Sequence, residues 1–83
     1  MKVRIKYFAS IRESIGMPSE TRETQATTLA ALRDELISLG DPYATCLERG
    51  RAVRMAQNQL MSEENAALLD GAELAFFPPV TGG

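Results

Sequence analysis

The sequence predicts an α+β domain, with one main helix laid across a mixed sheet. Three observations carry that expectation. Residues 2–8 alternate strictly, with Val3, Ile5 and Tyr7 on one side and Lys2, Arg4, Lys6 and Phe8 on the other. That period of two marks a half-buried strand. Leu29, Leu32, Leu36 and Leu39 recur at helical spacing, which marks an amphipathic helix that needs a sheet to cover it. Residues 72–77 alternate again, with Ala72, Leu74 and Phe76 on one face and Glu73, Ala75 and Phe77 on the other.

The elements between these three follow in order. Ala9 to Pro18 is a connection, with room for one helical turn before Gly16 breaks it. Residues 20–25 are polar but contain threonine, and are read as a short edge strand antiparallel to the first, since edges tolerate charge. Thr27 or Thr28 supplies an N-cap. The helix that follows runs for about 12 residues, with Ile37 at its margin and Arg33, Asp34 and Glu35 on its polar side. Gly40 offers the left-handed residue that ends helices, and Pro42 follows. Residues 41–50 read as a loop with Tyr43 and Leu47 buried. Residues 52–57 alternate once more, with Val53 and Met55 inward and Arg54 outward. Asn58-Gln59 is a turn, and Leu60-Met61 a very short strand. Leu68 and Leu69 anchor a polar connection that closes with Asp70-Gly71. Met55 and Met61 are read as core filler. The order is therefore β-β-α-β-β-β. With the first and last strands central, they lie parallel, because the helix provides the crossover between two hairpin-like halves.

Composition narrows the functional classes. A chain of 83 residues is one domain, and 45% hydrophobic with 24% charged residues is ordinary globular material. A net charge of -2 leaves no overall footprint for nucleic acid. No apolar run approaches the ~18 residues of a membrane span. The interleaved charges of residues 1–6 are a strand pattern and not a signal peptide. Cys46 is the only cysteine, so no disulfide framework exists and the cytoplasm is indicated. A buried structural role for Cys46 is the commoner case. The chain has no histidine, hence neither the commonest general base nor the commonest metal ligand. Chemistry at such a chain is expected to use it as a reactant.

The face of the sheet away from the helix is expected to carry Lys2, Arg4, Lys6, Phe8, Arg54 and Phe77. A solvated face with isolated aromatics is one reading. A partner surface is the other, and it accords with the enrichment of aromatic and arginine side chains at interface cores. Phe77 stands immediately before the last six residues, Pro78-Pro79-Val80-Thr81-Gly82-Gly83. The two prolines stiffen the chain as it leaves the body. Val80 and Thr81 are β-branched and stiff at χ1. Gly82 and Gly83 have no Cβ and can enter a channel that any other residue would block. Extended, residues 80–83 reach roughly 13 Å, enough to carry a carboxylate into another protein's active site. An idle tail is the general rule for termini; stiff prolines leading to a final diglycine point to one that is used. The chain is accordingly divided into a domain over residues 1–78 and an extended tail over residues 79–83.

Several segments together resemble a known family. They are Tyr7-Phe8-Ala9-Ser10-Ile11-Arg12-Glu13, the Asn58-Gln59 turn, Asp70-Gly71, and the block from Glu73 to Gly83. They look like the small, sulfur-carrying subunits of molybdopterin synthase. The resemblance implies a β-grasp, ubiquitin-like fold, in agreement with the strand order above. It implies a carrier without catalysis or a bound cofactor of its own. A ubiquitin-activating-like adenylyltransferase uses ATP to adenylate Gly83, and a persulfide donor then supplies sulfur, leaving a thiocarboxylate. The tail, with Gly82 beside the reacting residue, next enters the large synthase subunit, where sulfur builds the dithiolene of molybdopterin. The complex implied is a heterotetramer of two small and two large subunits. Phe77, Pro78, Pro79, Val80, Thr81, Phe8 and Arg54 are expected to contact the partner, with neither nucleic acid nor membrane involved. Two alternatives stand beside this one. The first is a β-grasp carrier for another sink, such as thiamine, tRNA thiolation or a tungsten cofactor. The second is a ubiquitin-like protein modifier or interaction module.

Overall fold

The computed structural model describes residues 1–79. The chain runs β1 (Lys2–Tyr7), α1 (Ala9–Ile15), β2 (Ser19–Glu23), α2 (Leu29–Ile37), α3 (Tyr43–Leu47), β3 (Arg54–Gln57), β4 (Leu60–Ser62) and β5 (Glu73–Phe77). The five strands form one sheet in the order β2-β1-β5-β3-β4. β1 and β5 are central and parallel; the other pairings are antiparallel. This mixed sheet crossed by α2 is the β-grasp, ubiquitin-like arrangement, as expected.

The core lies between α2 and one sheet face. Val3, Ile5 and Tyr7 from β1 meet Leu74 and Phe76 from β5, Met55 from β3, and Leu29, Leu32 and Leu36 from α2, all buried. Each such side chain contributes about 2 kcal/mol through removal from water. Thr28 caps α2: its side-chain oxygen accepts from the Ala31 N–H at 3.1 Å. The Asn58-Gln59 turn has positive φ at both residues, 51° and 70°, as a two-residue hairpin of primed type requires. Asn58 also joins the turn to β5, since its N–H donates to the Glu73 carbonyl (2.8 Å) and its Oδ1 accepts from the Glu73 N–H (3.0 Å).

Five expectations need correction. Residues 43–47 are helical and not loop; Tyr43, Cys46 and Leu47 have the i, i+3, i+4 spacing of a helix face, in a segment too short for periodicity to stand out. The first connection holds a seven-residue helix, not a single turn, which buries Ile11 and Ile15. α2 ends at Ile37, and Leu39 beyond it is exposed, off the leucine stripe. Leu68 anchors its connection, but Leu69 faces solvent. Arg33 is not on a polar face: it is 3% exposed. Its Nε donates to the Leu47 carbonyl (2.7 Å), its Nη2 to those of Glu48 (2.7 Å) and Arg51 (3.0 Å), and its Nη1 to the Glu64 carboxylate (2.8 Å). The guanidinium thereby ties α2 to the end of α3 and the segment after it, giving a donor to the Leu47 and Arg51 carbonyls and a second one to the Glu48 carbonyl, which also accepts from the Arg51 N–H at 2.9 Å.

Candidate functional site

The parallel register of β1 and β5 sets Tyr7 beside Phe76. Each strand then continues with a second aromatic, Phe8 and Phe77. Side chains alternate across a strand, so the two dipeptides make an aromatic pair on each side of the sheet. In the core, Tyr7 and Phe76 stack at 6.2 Å with 17° between planes. On the open side, Phe8 and Phe77 meet edge to face at 6.4 Å and 86°. The Phe8 N–H donates to the Phe76 carbonyl at 3.1 Å, and Phe8 stands at the N-terminus of α1. Both aromatics of the open pair are thus fixed by backbone at the point where the chain leaves the sheet.

Across β5, Arg54 is in register with Phe77. The structure therefore brings Phe8, Phe77 and Arg54 together, with half-buried Pro78 and Pro79 following at once. Val80, Thr81, Gly82 and Gly83 lie outside the described residues. The open face also carries Lys2, Arg4 and Lys6; Lys6 pairs with Glu73 at 3.4 Å. Arg54 forms no ion pair among the described residues.

On the open sheet face, Met61 is the residue that the sequence reading misplaced. It opposes Ala56, which opposes Ala75, so it stands on the open face and not in the core. It is 59% exposed and Phe8 is 44% exposed. Strand parity from the hairpin carries the signal, but β4 is three residues long, too short to show its own alternation. Across the open face the row runs Met61, Ala56, Ala75, Lys6, so two alanines leave a shallow floor between Met61 and the Lys6 stem. Exposed Phe8, half-buried Phe77 and a flexible thioether on one rigid sheet face make a surface suited to a protein partner.

Cys46 is buried, as expected. It shares a cavity of about 190 Å³ with Pro78, Ser10 and Arg51. Burial pushes the thiol's pKa up, which keeps it protonated and unreactive at neutral pH. Among the described residues no group of three or more His, Cys, Asp or Glu is placed to hold a metal. No helix among them is long and apolar enough to cross a membrane.

The surroundings of Tyr7 are the other polar feature near this end of the sheet. The Glu20 carboxylate accepts from the Tyr7 hydroxyl (2.7 Å) and the Tyr43 hydroxyl (2.6 Å). This joins β1, β2 and α3 beneath the open aromatic pair. Burial, then the hydrogen bond to Glu20, pushes the Tyr7 pKa up. The same causes in the same order push Tyr43 up to about 12.

Known proteins share this sequence and architecture. The pattern of the ThiS family matches residues 5–83. The molybdopterin synthase sulfur carrier subunit of Haemophilus influenzae is 40% identical over 81 residues, spanning 98% of this chain and 99% of that protein. The protein of the same name from Escherichia coli is 37% identical over the same shares. A solved complex of subunits 1 and 2 of the molybdopterin-converting factor from Helicobacter pylori contains a chain of 25% identity with a TM-score of 0.66, each covered in full.

Proposed function

The chain belongs to the ThiS family, among relatives that are sulfur carrier subunits of molybdopterin synthase, and from that premise we propose that it carries sulfur on the carboxyl of Gly83 for molybdopterin biosynthesis. The observation that supports this most is the placement of the tail root. Pro78 follows Phe77 on a central strand, beside Phe8 and Arg54, and Met61 extends the same sheet face. A partner that grips this face receives the tail in a defined direction, and the domain needs no base or metal of its own.

The chemistry follows from the carboxyl group. Its ordinary pKa lies near 3.5, so at neutral pH it is an anion and resists nucleophiles. A ubiquitin-activating-like adenylyltransferase removes that obstacle: the carboxylate attacks the α-phosphorus of ATP, pyrophosphate departs, and an acyl adenylate forms. The terminal sulfur of a persulfide then attacks the acyl carbon and expels AMP. A second thiol cleaves the resulting acyl disulfide, supplying the electron pair that leaves a thiocarboxylate on Gly83. The large synthase subunit accepts the tail, and sulfur passes to a pterin precursor. A dithiolene contains two sulfurs, so each product consumes two charged carriers. ATP and the persulfide belong to the partners' reactions, which take place in the cytoplasm, and the working assembly is two small with two large subunits. In this complex the chain is the sulfur-donating subunit and the large subunit performs catalysis.

The test is intact mass after incubation with ATP, a sulfur donor and the host's activating enzyme. One oxygen-to-sulfur exchange localised to Gly83 is expected, and its reversal on adding the large subunit and the pterin precursor. Lysine adducts in place of the exchange would turn the reading toward a protein modifier. An unchanged mass with a competent activating enzyme would overturn both.

A further inference from the structure

A cavity of about 480 Å³ lies between the segment after α3 and the β3–β4 hairpin, lined by Arg33, Arg49, Arg51 and Arg54 against two glutamates, Glu63 and Glu64. This excess of positive charge is local, on a chain whose net charge is -2. The four arginines differ in what already engages them. Arg33 and Arg49 both donate to Glu64 at 2.8 Å, and Arg49 also donates to Asp34. Arg51 has a 3.9 Å contact with Glu48, both side chains more than half exposed, an arrangement worth little. Arg54 has no ion pair among the described residues. Among the described residues, two guanidiniums thus line one cavity with their hydrogen-bonding capacity largely unspent.

We propose that this cavity is a second docking point for the large subunit, taking an acidic segment whose carboxylates pair with Arg51 and Arg54. The inference rests on the carrier reading above. Arg33 supports it, because its bonds to the Leu47, Glu48 and Arg51 carbonyls hold the segment that presents Arg51. A guanidinium on a fixed backbone loses less freedom when it binds. The cavity is also continuous with the aromatic surface, since Arg54 and Met61 belong to both. Arg51 further lines the smaller cavity that contains Pro78, so a partner holding the tail root passes directly over it. A protein carboxylate fits better than a free anion, because Val53 and Met61 offer apolar wall for a side-chain stem.

The experiment measures the dissociation constant between the full chain and the large subunit of the same organism, at low and high salt. Wild type is compared with Arg51→Gln, Arg54→Gln and the double variant. Both side chains are exposed, and circular dichroism checks that the fold persists. The double variant should bind about ten-fold or more weakly at low salt, with a shallower salt dependence. Unchanged affinity and salt dependence, with wild type binding normally, would overturn the docking inference and leave the carrier reading intact. Failure of wild type to bind would overturn the carrier reading, and this inference with it. Inorganic phosphate titrated into the free chain provides the last arm. Saturable shifts at the Arg51 and Arg54 Nε–H resonances, with unchanged large-subunit affinity in the variants, would make this a small-anion site and refute the proposal.

Discussion

Phe8 and Phe77 meet edge to face, 6.4 Å apart at 86°, at the carboxyl ends of two parallel central strands. This geometry favours the ring quadrupoles and places both rings where the tail begins. Phe77→Ala should weaken large-subunit binding by about 2 kcal/mol, as expected of an interface hot spot. Phe8→Ala should also weaken it, and the double variant should lose less than the sum by about 1 kcal/mol, because each ring braces the other. Calorimetric titration of the four proteins tests this; additive losses would show that the pair does not act as a unit.

A second prediction concerns Arg33. Replacing it with Met takes the Arg33 donor from the Leu47 and Arg51 carbonyls, takes one of two donors from the Glu48 carbonyl, which keeps the Arg51 N–H, and removes the tie to Glu64. The expected loss is about 3 kcal/mol of stability in urea. Arg49→Met is the contrast: Arg49 makes ion pairs with Asp34 and Glu64, but it is half exposed, so its loss should be at most about 1 kcal/mol. Equal losses in the two variants would refute the role assigned to burial.

Arg33 also shows where sequence reading stops. Long elements with clear periods were legible: β1, β5, the Leu29, Leu32 and Leu36 face of α2, the parallel centre and the edge position of β2. The open-face grouping of Phe8, Phe77 and Arg54 was legible too, because strand alternation fixes sides. Arg33 was not. A charged residue beside a leucine stripe reads as the helix's polar margin, and its acceptors lie 14 to 31 residues away in sequence. Met61 and α3 failed for want of length, since three or five residues contain too few periods to set a face.

Tyrosine ionisation gives a third prediction. An unfolded tyrosine ionises near pH 10. In the fold, burial and then the bond donated to Glu20 push Tyr43 up to about 12, and Tyr7 shifts in the same direction. The folded state therefore holds these protons more tightly than the unfolded chain does. That contribution is complete below pH 10 and is lost as pH rises through the folded value. The urea midpoint should fall between pH 10 and about 12, and Tyr43→Phe should flatten the decline. A midpoint constant across that window would contradict the Tyr7–Glu20–Tyr43 arrangement.

The last prediction separates the folded body from the reacting carboxyl. Among the described residues the core closes between α2 and the sheet with Phe76 its last member, so changes at residues 82 and 83 should leave the urea midpoint unmoved. Deleting Gly83 puts the carboxyl one residue short, by about 3.3 Å. Adding an alanine after Gly83 puts it one residue long and introduces a Cβ beside the reacting group. Both variants should still bind the large subunit through Phe8, Phe77 and Met61, yet neither should acquire or deliver sulfur. A third variant, Gly82→Ala, keeps the length and adds only a Cβ, so it isolates channel width from reach. Loss of sulfur delivery in the length variants with binding retained is the expected pattern, read by intact mass and by dithiolene formation. Normal sulfur delivery by the extended variant would move the site of chemistry away from the Gly83 carboxyl.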